Sequence, residues 1–292
     1  MEKIPVYAVV GPTATGKSAY AVSLARELGG EVISGDSMQI YRGMDIGTAK
    51  ASAEEQQGIP HHLLDVADMT EPFSAGRFVE LAGEKIREIH SRGKTPILCG
   101  GTGLYLELLL AGKQLTDTTA DEALRGELLD FARQNGNEAL HARLRELDPV
   151  SAESIHPNNV KRVVRALEIA MTAGITKSEA DRRSGEGDNP FAPTIIRLTY
   201  ADRAKLYDKI NLRVRRMFEM GLEAEVRALC DAGLRETPTA SQAIGYKEFY
   251  PYFDGEISIA QVEEDICRNT RRYAKRQETW FSRMHYDRLI TL

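Results

Sequence analysis

Apolar positions in the first part of the chain follow two alternating patterns. Short, nearly continuous apolar runs end at glycine, which is typical of buried parallel strands. Between them, apolar residues recur every three or four positions, as the buried face of a helix requires. The predicted strands are 5–10, 31–34 and 95–99, and the predicted helices are 17–28, 74–92 and 102–111. This alternation predicts a parallel sheet with right-handed crossovers and helices on both faces.

The pattern changes after Lys113. Residues 116–183 show helical periodicity with polar breaks, and the next strand-like run is 194–199. A helical segment at 202–232 that is interrupted near Gly221, a charged helix at 257–283 and a last edge strand at 287–292 follow. We therefore predict an α/β fold. Residues 1–115 and 195–292 form a parallel-sheet core of the P-loop type, and residues 116–194 form an all-helical insertion domain.

Composition restricts the class of protein without identifying it. The chain has 292 residues, of which 42% are hydrophobic and 28% charged, as in ordinary globular proteins. It has no apolar run long enough to span a bilayer, no secretory signal at its start, and three scattered cysteines. These features predict a cytoplasmic protein without a membrane anchor. The net charge of −5 does not indicate nucleic-acid binding, although it is compatible with a local basic surface.

The segment directly after the first predicted strand matches the P-loop pattern G-x-x-x-x-G-K-[ST]. In a P-loop, glycines let the backbone wrap around phosphate oxygens, and backbone N–H groups at a helix N-terminus supply positive potential. Lys17 is placed to contact the terminal phosphate and Ser18 to ligate Mg²⁺. The residues of this loop are Gly11, Pro12, Thr13, Ala14, Thr15, Gly16, Lys17 and Ser18. The chain is therefore predicted to bind a diphosphate or a triphosphate.

The P-loop alone leaves the reaction open. Most P-loops hold ATP or GTP. However, the third predicted strand ends at Gly100 and Gly101, without the carboxylate that organises Mg²⁺ in many nucleotide hydrolases, and the sequence has no guanine-reading N-K-x-D motif. These absences weigh against an ATPase or a GTPase. They leave a small-molecule kinase or another phosphate-using transferase.

Two further loops are expected at the same edge of the sheet, because the carboxyl ends of parallel strands meet there. Asp36 follows the second strand and has the chemistry of a general base, although a turn-forming aspartate suits the position equally well. Gln39 has an amide suited to reading a base edge, or is an ordinary surface side chain. Thr102 follows the third strand, where a hydroxyl is in reach of phosphate or substrate.

Together these motifs resemble those of the tRNA dimethylallyltransferases, also called tRNA isopentenyltransferases. The resemblance covers nearly the whole chain. Its most specific part is the run Asp36-Ser-Met-Gln-Ile-Tyr-Arg-Gly-Met-Asp-Ile-Gly-Thr-Ala-Lys50. The other segments that carry it are 11–18, 61–65, 100–105, 156–168, 242–246 and 270–281.

The resemblance implies a reaction and its substrates. Members of the family transfer a dimethylallyl group from dimethylallyl diphosphate to N6 of adenosine 37, beside the anticodon of tRNA, and Mg²⁺ assists. The P-loop then holds the diphosphate leaving group rather than ATP. Because the modified base has to leave its stack to reach the site, extrusion of the base into a channel is expected. We expect the protein to act as a monomer.

The resemblance also implies roles for residues of this chain. Asp36 aligns with the general base of the family, Thr102 with a threonine near the reacting groups, and Lys17 with the lysine that stabilises charge on the diphosphate. Met38, Met44 and Tyr105 are candidates for the dimethylallyl pocket, with core packing as the alternative. The tRNA-binding residues implied by these motifs are Asp36, Ser37, Met38, Gln39, Thr102, Gln242, Gly245 and Tyr246.

RNA binding by an acidic chain requires a local basic surface. In the C-terminal helix, Arg268, Arg272, Arg276 and Trp280 recur every fourth residue, and Lys275 lies among them. A basic face that ends in an aromatic suits phosphate contact and base stacking, so we predict tRNA contacts at Arg272, Lys275, Arg276 and Trp280. In the insertion, Lys161, Arg162 and Arg165 lie opposite an apolar stripe and are candidates for contact with tRNA or diphosphate. A solvated helix surface is the alternative in both places.

The family pattern is not kept everywhere. Asn159, Arg272 and Ser282 stand where members usually have Asp, Gln and Arg. These departures concern individual tRNA contacts and leave the catalytic assignment intact. His61 and His62 lack the neighbouring ligands of a metal site and are expected to pack or hydrogen-bond under the substrate channel.

Two other functions are compatible with the P-loop. A small-molecule kinase would consume ATP and would not need a basic C-terminal helix. A non-catalytic RNA-binding protein would tolerate loss of the Asp36 carboxylate. The combination of motifs favours the prenyltransferase over both.

Overall fold

The computed structural model describes residues 2–113, 121–185 and 188–292. The chain divides into two compact units, one formed by Met1–Leu110 with Pro190–Leu292 and the other by Ala111–Asn189. The predicted start of the insertion, residue 116, lies outside the described residues.

The larger unit is built on a sheet in which six strands pair in parallel, in the order β3-β2-β4-β1-β5-β6. The strands are β1 (Ile4–Val10), β2 (Gly30–Ser34), β3 (His61–His62), β4 (Thr95–Gly100), β5 (Phe191–Thr199) and β6 (Arg288–Thr291). The helices are α1 (Lys17–Leu28), α2 (Ala53–Gln56), α3 (Ala75–Ser91), α4 (Gly103–Leu110), α5 (Glu122–Asn135), α6 (Asn137–Leu147), α7 (Pro149–Ser154), α8 (Val160–Thr172), α9 (Lys177–Ser184), α10 (Arg203–Glu219), α11 (Leu222–Asp231), α12 (Tyr250–Phe253) and α13 (Ile259–Phe281).

Both faces of the sheet are covered, as the strand–helix alternation predicts. Successive side chains of a strand point to opposite faces. Val6 and Ala8 of β1 therefore pack in one core with residues of α3 and α4, whereas Val9 packs in another core with Ala21 and Ala25 of α1. This arrangement fixes β1 at the centre of the unit, between β4 and β5.

The order of the strands brings three loops together. β4 lies between β2 and β1, so the loops that follow these strands lie side by side at the carboxyl edge. The approach between two of them is close enough to require glycine: a Cβ added at Gly100 would lie 2.3 Å from the carbonyl oxygen of Gly35. The N–H of Thr102 also donates to that oxygen, at 3.3 Å. Asp36 is thereby held next to the loop after β4.

Strand β5 begins at Phe191, three residues before the predicted start at 194, so residues 191–194 of the predicted insertion belong to this strand. The strand contains Pro193, and proline lacks the N–H that a central strand needs. In the structure, β6 pairs with β5 only from Ile196 onward. Residue 193 therefore has a neighbouring strand on one side only, where proline is tolerated.

The paired histidines form an element that the sequence did not predict. His61 and His62 are the edge strand β3, which pairs with β2. His62 Nε2 lies 2.7 Å from Glu31 Oε2, and the other oxygen of Glu31 accepts from Arg92 at 2.5 Å. The expectation of hydrogen bonding is confirmed, but its place is the sheet edge and not a wall of the cavity described below.

The described residues of the smaller unit form helices joined by short loops, and the unit has its own core, which includes Leu140, Leu144, Val163 and Leu167. Glu168 is fully buried in this unit. Arg125 and Arg165 both pair with its carboxylate. Because a buried charge is tolerated only when it is paired, this triad ties α5 to α8.

No helix among the described residues combines the length and the apolar character that crossing a membrane requires.

Candidate functional site

A cavity of about 340 Å³ lies at the carboxyl edge of the sheet. Its walls come from the P-loop, the loop after β2, the loop after β4, and the inner faces of α10 and α13. Lys17, Ser18 and Asp36 all line it. The structure thus brings together the phosphate-binding and candidate base residues that the sequence predicted separately.

The P-loop is closed on itself around Lys17. Gly16 adopts a left-handed conformation, with φ of 74°, and α1 begins at the next residue. Lys17 Nζ donates to the carbonyl oxygen of Pro12 at 2.6 Å, and the Thr15 hydroxyl donates to the same oxygen at 2.8 Å. Burial lowers the pKa of Lys17 to about 8, and the nearby Arg213 contributes in the same direction. An anionic ligand would reverse this effect, since it favours the charged ammonium.

Arg213 is a second cation at the P-loop that sequence reasoning missed. It lines the cavity from α10 and donates from Nη1 to the Thr13 hydroxyl at 2.7 Å. Burial lowers its pKa. Helix α10 is rich in basic residues, and no motif distinguishes this one from its neighbours. Only the inward-facing apolar positions beside it, Ile210 and Val214, indicate that it lies on the buried face.

Asp36 has the features of both a turn-forming aspartate and a candidate general base. Its Oδ1 accepts from the N–H of Met38 at 2.8 Å and from that of Gln39 at 3.4 Å, as in a turn-forming aspartate. The carboxylate also lines the cavity, as a general base must. Thr102 holds the same turn from the other side, because its Oγ1 accepts from the N–H of Ser37 at 3.0 Å. Thr102 thus contacts the turn that carries Asp36.

The amide of Gln39 is engaged within the protein, so no free amide is left to read a base edge in this structure. Its Oε1 accepts from the Ser34 hydroxyl at 2.9 Å. Its Nε2 donates to the carbonyl oxygens of Thr48 and Ala49 at 3.1 and 3.2 Å. Gln39 therefore connects the Asp36 turn to the loop at 47–49, which lines the cavity.

One wall of the cavity is apolar. It is formed by Met38 together with side chains of α10 and α13, namely Ile210, Val214, Met217 and Ile266. Of the three residues proposed for an apolar pocket, only Met38 lies there. Met44 is fully buried in the core that also contains Val214 and Met217, but it does not line the cavity. Tyr105 is buried against Phe78, with ring centroids 4.7 Å apart. For these two, the alternative of core packing is correct.

Helix α13 has an inner and an outer face. On the inner face, Gln277 is buried and bridges two loops: its Oε1 accepts from the N–H of Thr13 and its Nε2 donates to the carbonyl oxygen of Gly101, both at 2.9 Å. Tyr273 lies beside it in the cavity, and burial raises the pKa of its hydroxyl to about 12. Sequence reasoning followed the basic spacing of this helix and missed these residues.

The outer face of α13 is basic, but not at every position predicted. Arg272, Lys275 and Arg276 are exposed, and Arg276 also reaches the mouth of the cavity. Arg268 is neutralised by an ion pair with Asp265. Glu278, the acidic residue of this stretch, faces inward and pairs with the buried Arg197, so it does not offset the outer charge.

Of the two aromatic residues predicted to contact tRNA, Trp280 is partly buried and Tyr246 is fully buried. Trp280 packs so closely on the backbone that a Cβ at Gly103 would lie 2.5 Å from its ring, and its indole nitrogen is buried. Tyr246 is fully buried, and its hydroxyl donates to Glu225 at 2.7 Å. The 242–246 motif still contributes Gln242 and Gly245 to the cavity wall. Direct contact between tRNA and the fully buried Tyr246 side chain does not fit this structure, whereas tRNA contact at the partly exposed Trp280 stays a prediction.

Within the insertion, Lys161 and Arg162 are exposed, and Arg165 pairs with the buried Glu168. Their contact with tRNA stays a prediction.

A magnesium ion with its own protein cage does not fit this site. No group of three or more His, Cys, Asp or Glu side chains comes together as metal ligands in the part of the chain that the structure describes. Mg²⁺ in phosphate sites needs few protein oxygens, because waters and phosphate oxygens complete its coordination. The Ser18 hydroxyl and the Asp36 carboxylate supply such oxygens to the cavity, so the site fits a metal carried in with a diphosphate.

Comparison with known proteins identifies the family. A family model described as IPP transferase matches residues 39–284. This chain belongs to that family. The tRNA dimethylallyltransferase of Halalkalibacterium halodurans is 50% identical over 279 residues, which cover 96% of this chain and 88% of the relative. That of Geobacillus kaustophilus is 50% identical over 281 residues, covering 96% and 87%.

Solved structures of the family show the same fold. A tRNA isopentenylpyrophosphate transferase from Bacillus halodurans matches with a TM-score of 0.73 and 47% identity, over 99% of this chain and 90% of that one. A eukaryotic dimethylallyltransferase described as acting on tRNA matches with a TM-score of 0.79 and 30% identity, over 95% of this chain and 69% of that one. The predicted P-loop α/β fold is confirmed.

Proposed function

We propose that this protein transfers a dimethylallyl group from dimethylallyl diphosphate to N6 of adenosine 37 of tRNA. One observation carries the proposal: the P-loop lysine, the Asp36 carboxylate and an apolar wall line a single cavity, in a chain of the IPP transferase family. Family membership favours this reaction over the kinase and the non-catalytic RNA-binding protein. The proposed partners are tRNA and dimethylallyl diphosphate.

The diphosphate is proposed to lie on the P-loop. Backbone N–H groups at the start of α1, the Lys17 ammonium and the Arg213 guanidinium surround that position. When the allylic C–O bond breaks, its electron pair goes to the diphosphate, whose negative charge grows. Donors that are already in place stabilise such charge without reorganising, which is an effective form of catalysis.

The dimethylallyl group is proposed to lie against the apolar wall formed by Met38, Val214 and Met217. This wall shields the allylic carbon from water. Exclusion of water favours attack by the adenine nitrogen over hydrolysis.

Asp36 is proposed to accept the proton that N6 loses as the new C–N bond forms. The turn around it leaves this role open, because only Oδ1 accepts the two backbone hydrogen bonds. Thr102 is proposed to support the base by fixing Ser37, its neighbour in the turn.

Ser18 is proposed to hold Mg²⁺ together with oxygens of the diphosphate. When bound, the ion neutralises charge on the leaving group. The basic residues Arg272, Lys275 and Arg276 are proposed to contact the tRNA backbone.

The proposal is tested with an unmodified tRNA transcript, Mg²⁺ and radiolabelled dimethylallyl diphosphate. A transcript that differs only in having guanosine at position 37 is the matched control. Label is expected in the adenosine transcript alone. A parallel reaction contains labelled ATP and no prenyl donor.

Each rival predicts a different result. Transfer of phosphate from ATP to a small acceptor would indicate a kinase. Binding of tRNA without incorporation of label would indicate a non-catalytic RNA-binding protein. Either result would overturn the proposed function.

A further inference from the structure

The carboxylate of Glu225 on α11 caps three consecutive backbone N–H groups of a distant loop. Its Oε2 accepts from Asp45 and Ile46 at 3.2 and 2.8 Å, and its Oε1 accepts from Gly47 at 3.1 Å. The buried Tyr246 hydroxyl donates to Oε1 at 2.7 Å. Each carboxylate oxygen thus accepts two hydrogen bonds from donors of the protein. Such charge-assisted bonds are about twice as strong as neutral ones.

The loop held in this way forms part of the cavity wall. Gly47, Thr48 and Ala49 line the cavity. Gly47 lies against the ring of Tyr246 so closely that a Cβ there would be 2.4 Å from it. Ala49 has a left-handed backbone, with φ of 49°. An alanine keeps such a conformation only when its surroundings enforce it.

The loop is connected in turn to Asp36. Gln39 donates from Nε2 to the carbonyl oxygens of Thr48 and Ala49, and its own N–H donates to Asp36 Oδ1 at 3.4 Å. An unbroken series of contacts therefore leads from Glu225 through the loop and Gln39 to the carboxylate in the cavity. Glu225 itself does not line the cavity.

We propose that Glu225, supported by Tyr246, is a positioning residue that fixes the Asp45–Ala49 loop and, through Gln39, the Asp36 carboxylate. The inference rests on the proposed function, because it gives Asp36 a reaction to serve. A shift of about 1 Å in a reacting group can lower a rate about 100-fold. Loss of the Glu225 hydrogen bonds should therefore lower kcat more than it raises the KM for tRNA or the KM for dimethylallyl diphosphate.

The chain provides matched variants. Glu225→Gln preserves the size and shape of the side chain. A glutamine amide has one oxygen, whereas the loop is held by both oxygens of the carboxylate. In the variant, an NH₂ group therefore faces backbone N–H donors. Tyr246→Phe removes only the hydroxyl that donates to Glu225. This variant still tests the proposal if the Glu225 variant does not fold. The controls are Glu223→Gln and Tyr252→Phe: Glu223 lies on the same helix and accepts from Tyr252 at 3.3 Å, but it does not bond to the loop.

Two measurements test whether Glu225 positions the loop and the Asp36 carboxylate. In Glu225→Gln, kcat should fall about 10- to 100-fold while both KM values stay within about twofold of the unaltered protein. Hydrogen exchange at the amides of residues 45–47 should accelerate about tenfold or more, because their acceptors are lost. Tyr246→Phe should show smaller changes in the same directions, and the two controls should show none.

These measurements distinguish a failure of this inference from a failure of the proposed function. Unchanged exchange at 45–47, or a rise in KM without a fall in kcat, overturns this inference in a protein that still transfers the prenyl group. Absence of transfer by the unaltered protein overturns the proposed function, and with it the role toward Asp36.

Discussion

The side-chain amide of Gln277 accepts a hydrogen bond from the backbone N–H of Thr13 at 2.9 Å. Its Nε2 donates to the carbonyl oxygen of Gly101, also at 2.9 Å. One buried side chain of the C-terminal helix therefore sets the spacing between the P-loop and the loop after β4. The phosphate-binding loop depends on a residue 264 positions away in the sequence.

Replacement of Gln277 by Leu should weaken binding of the diphosphate substrate and destabilise the fold. Two buried backbone groups would lose their partners, and each such loss costs about 1–3 kcal/mol. We expect a KM for dimethylallyl diphosphate raised about tenfold and a lower free energy of unfolding in urea. Thr279→Ala, on the exposed side of the same helix, is the control. An unchanged KM would show that the bridge does not shape the P-loop.

Asp36→Asn should remove the base while keeping the turn. An asparagine side chain retains an oxygen that can accept from the N–H groups of Met38 and Gln39, but it cannot take a proton from N6 at neutral pH. We expect kcat to fall about 10²- to 10⁴-fold, the range for general bases, with tRNA affinity within about twofold. Single-turnover transfer and filter binding measure the two quantities. A large loss of tRNA binding would contradict the role as base.

The sequence predicted those parts of the site that follow directly from strand ends. The P-loop and Asp36 follow β1 and β2, and the parallel order of strands is enough to bring them together. Arg213 and Gln277 could not be identified from the sequence, because they lie at the cavity only as a result of how α10 and α13 pack on each other and on the core. No local pattern encodes that packing.

The structure differs from the prediction at Tyr246 and at two strands, and each difference has a physical reason. Tyr246 was assigned to tRNA contact because it lies in the 242–246 motif of the resembled family. Its ring is fully buried instead, because burial of its large apolar area stabilises the core. Residues 191–193 of β5 and the two-residue strand β3 were not predicted, because a strand with a neighbour on one side only has fewer sequence requirements than a strand in the middle of a sheet.

Binding of dimethylallyl diphosphate should weaken above about pH 8. Burial lowers the pKa of Lys17 to about 8 in the free protein, and a bound anion raises it again. Ligand binding therefore takes up a proton above that pH, so the affinity changes little between pH 7 and 8 and falls up to tenfold per pH unit above pH 8. The terminal phosphate itself titrates near pH 6, below this window. Equilibrium titrations between pH 7 and 10 provide the test.

Lys17→Met provides the comparison for this pH dependence. It should bind the diphosphate weakly at every pH, without a break near pH 8. A break that persists in this variant would assign the titration to another group.

Binding of tRNA should depend on Arg272 and not on Arg268, although both are arginines one helical turn apart on α13. Arg272 is exposed and has no ion-pair partner among the described residues, whereas Arg268 is already paired with Asp265. A phosphate contact releases counterions, so its loss flattens the dependence of log K on log salt by about 0.7–1. We expect this change, with a several-fold weaker affinity at low salt, in Arg272→Ala and no change in Arg268→Ala. Equal slopes for the two variants would show that the outer face of α13 does not contact the tRNA backbone at this position.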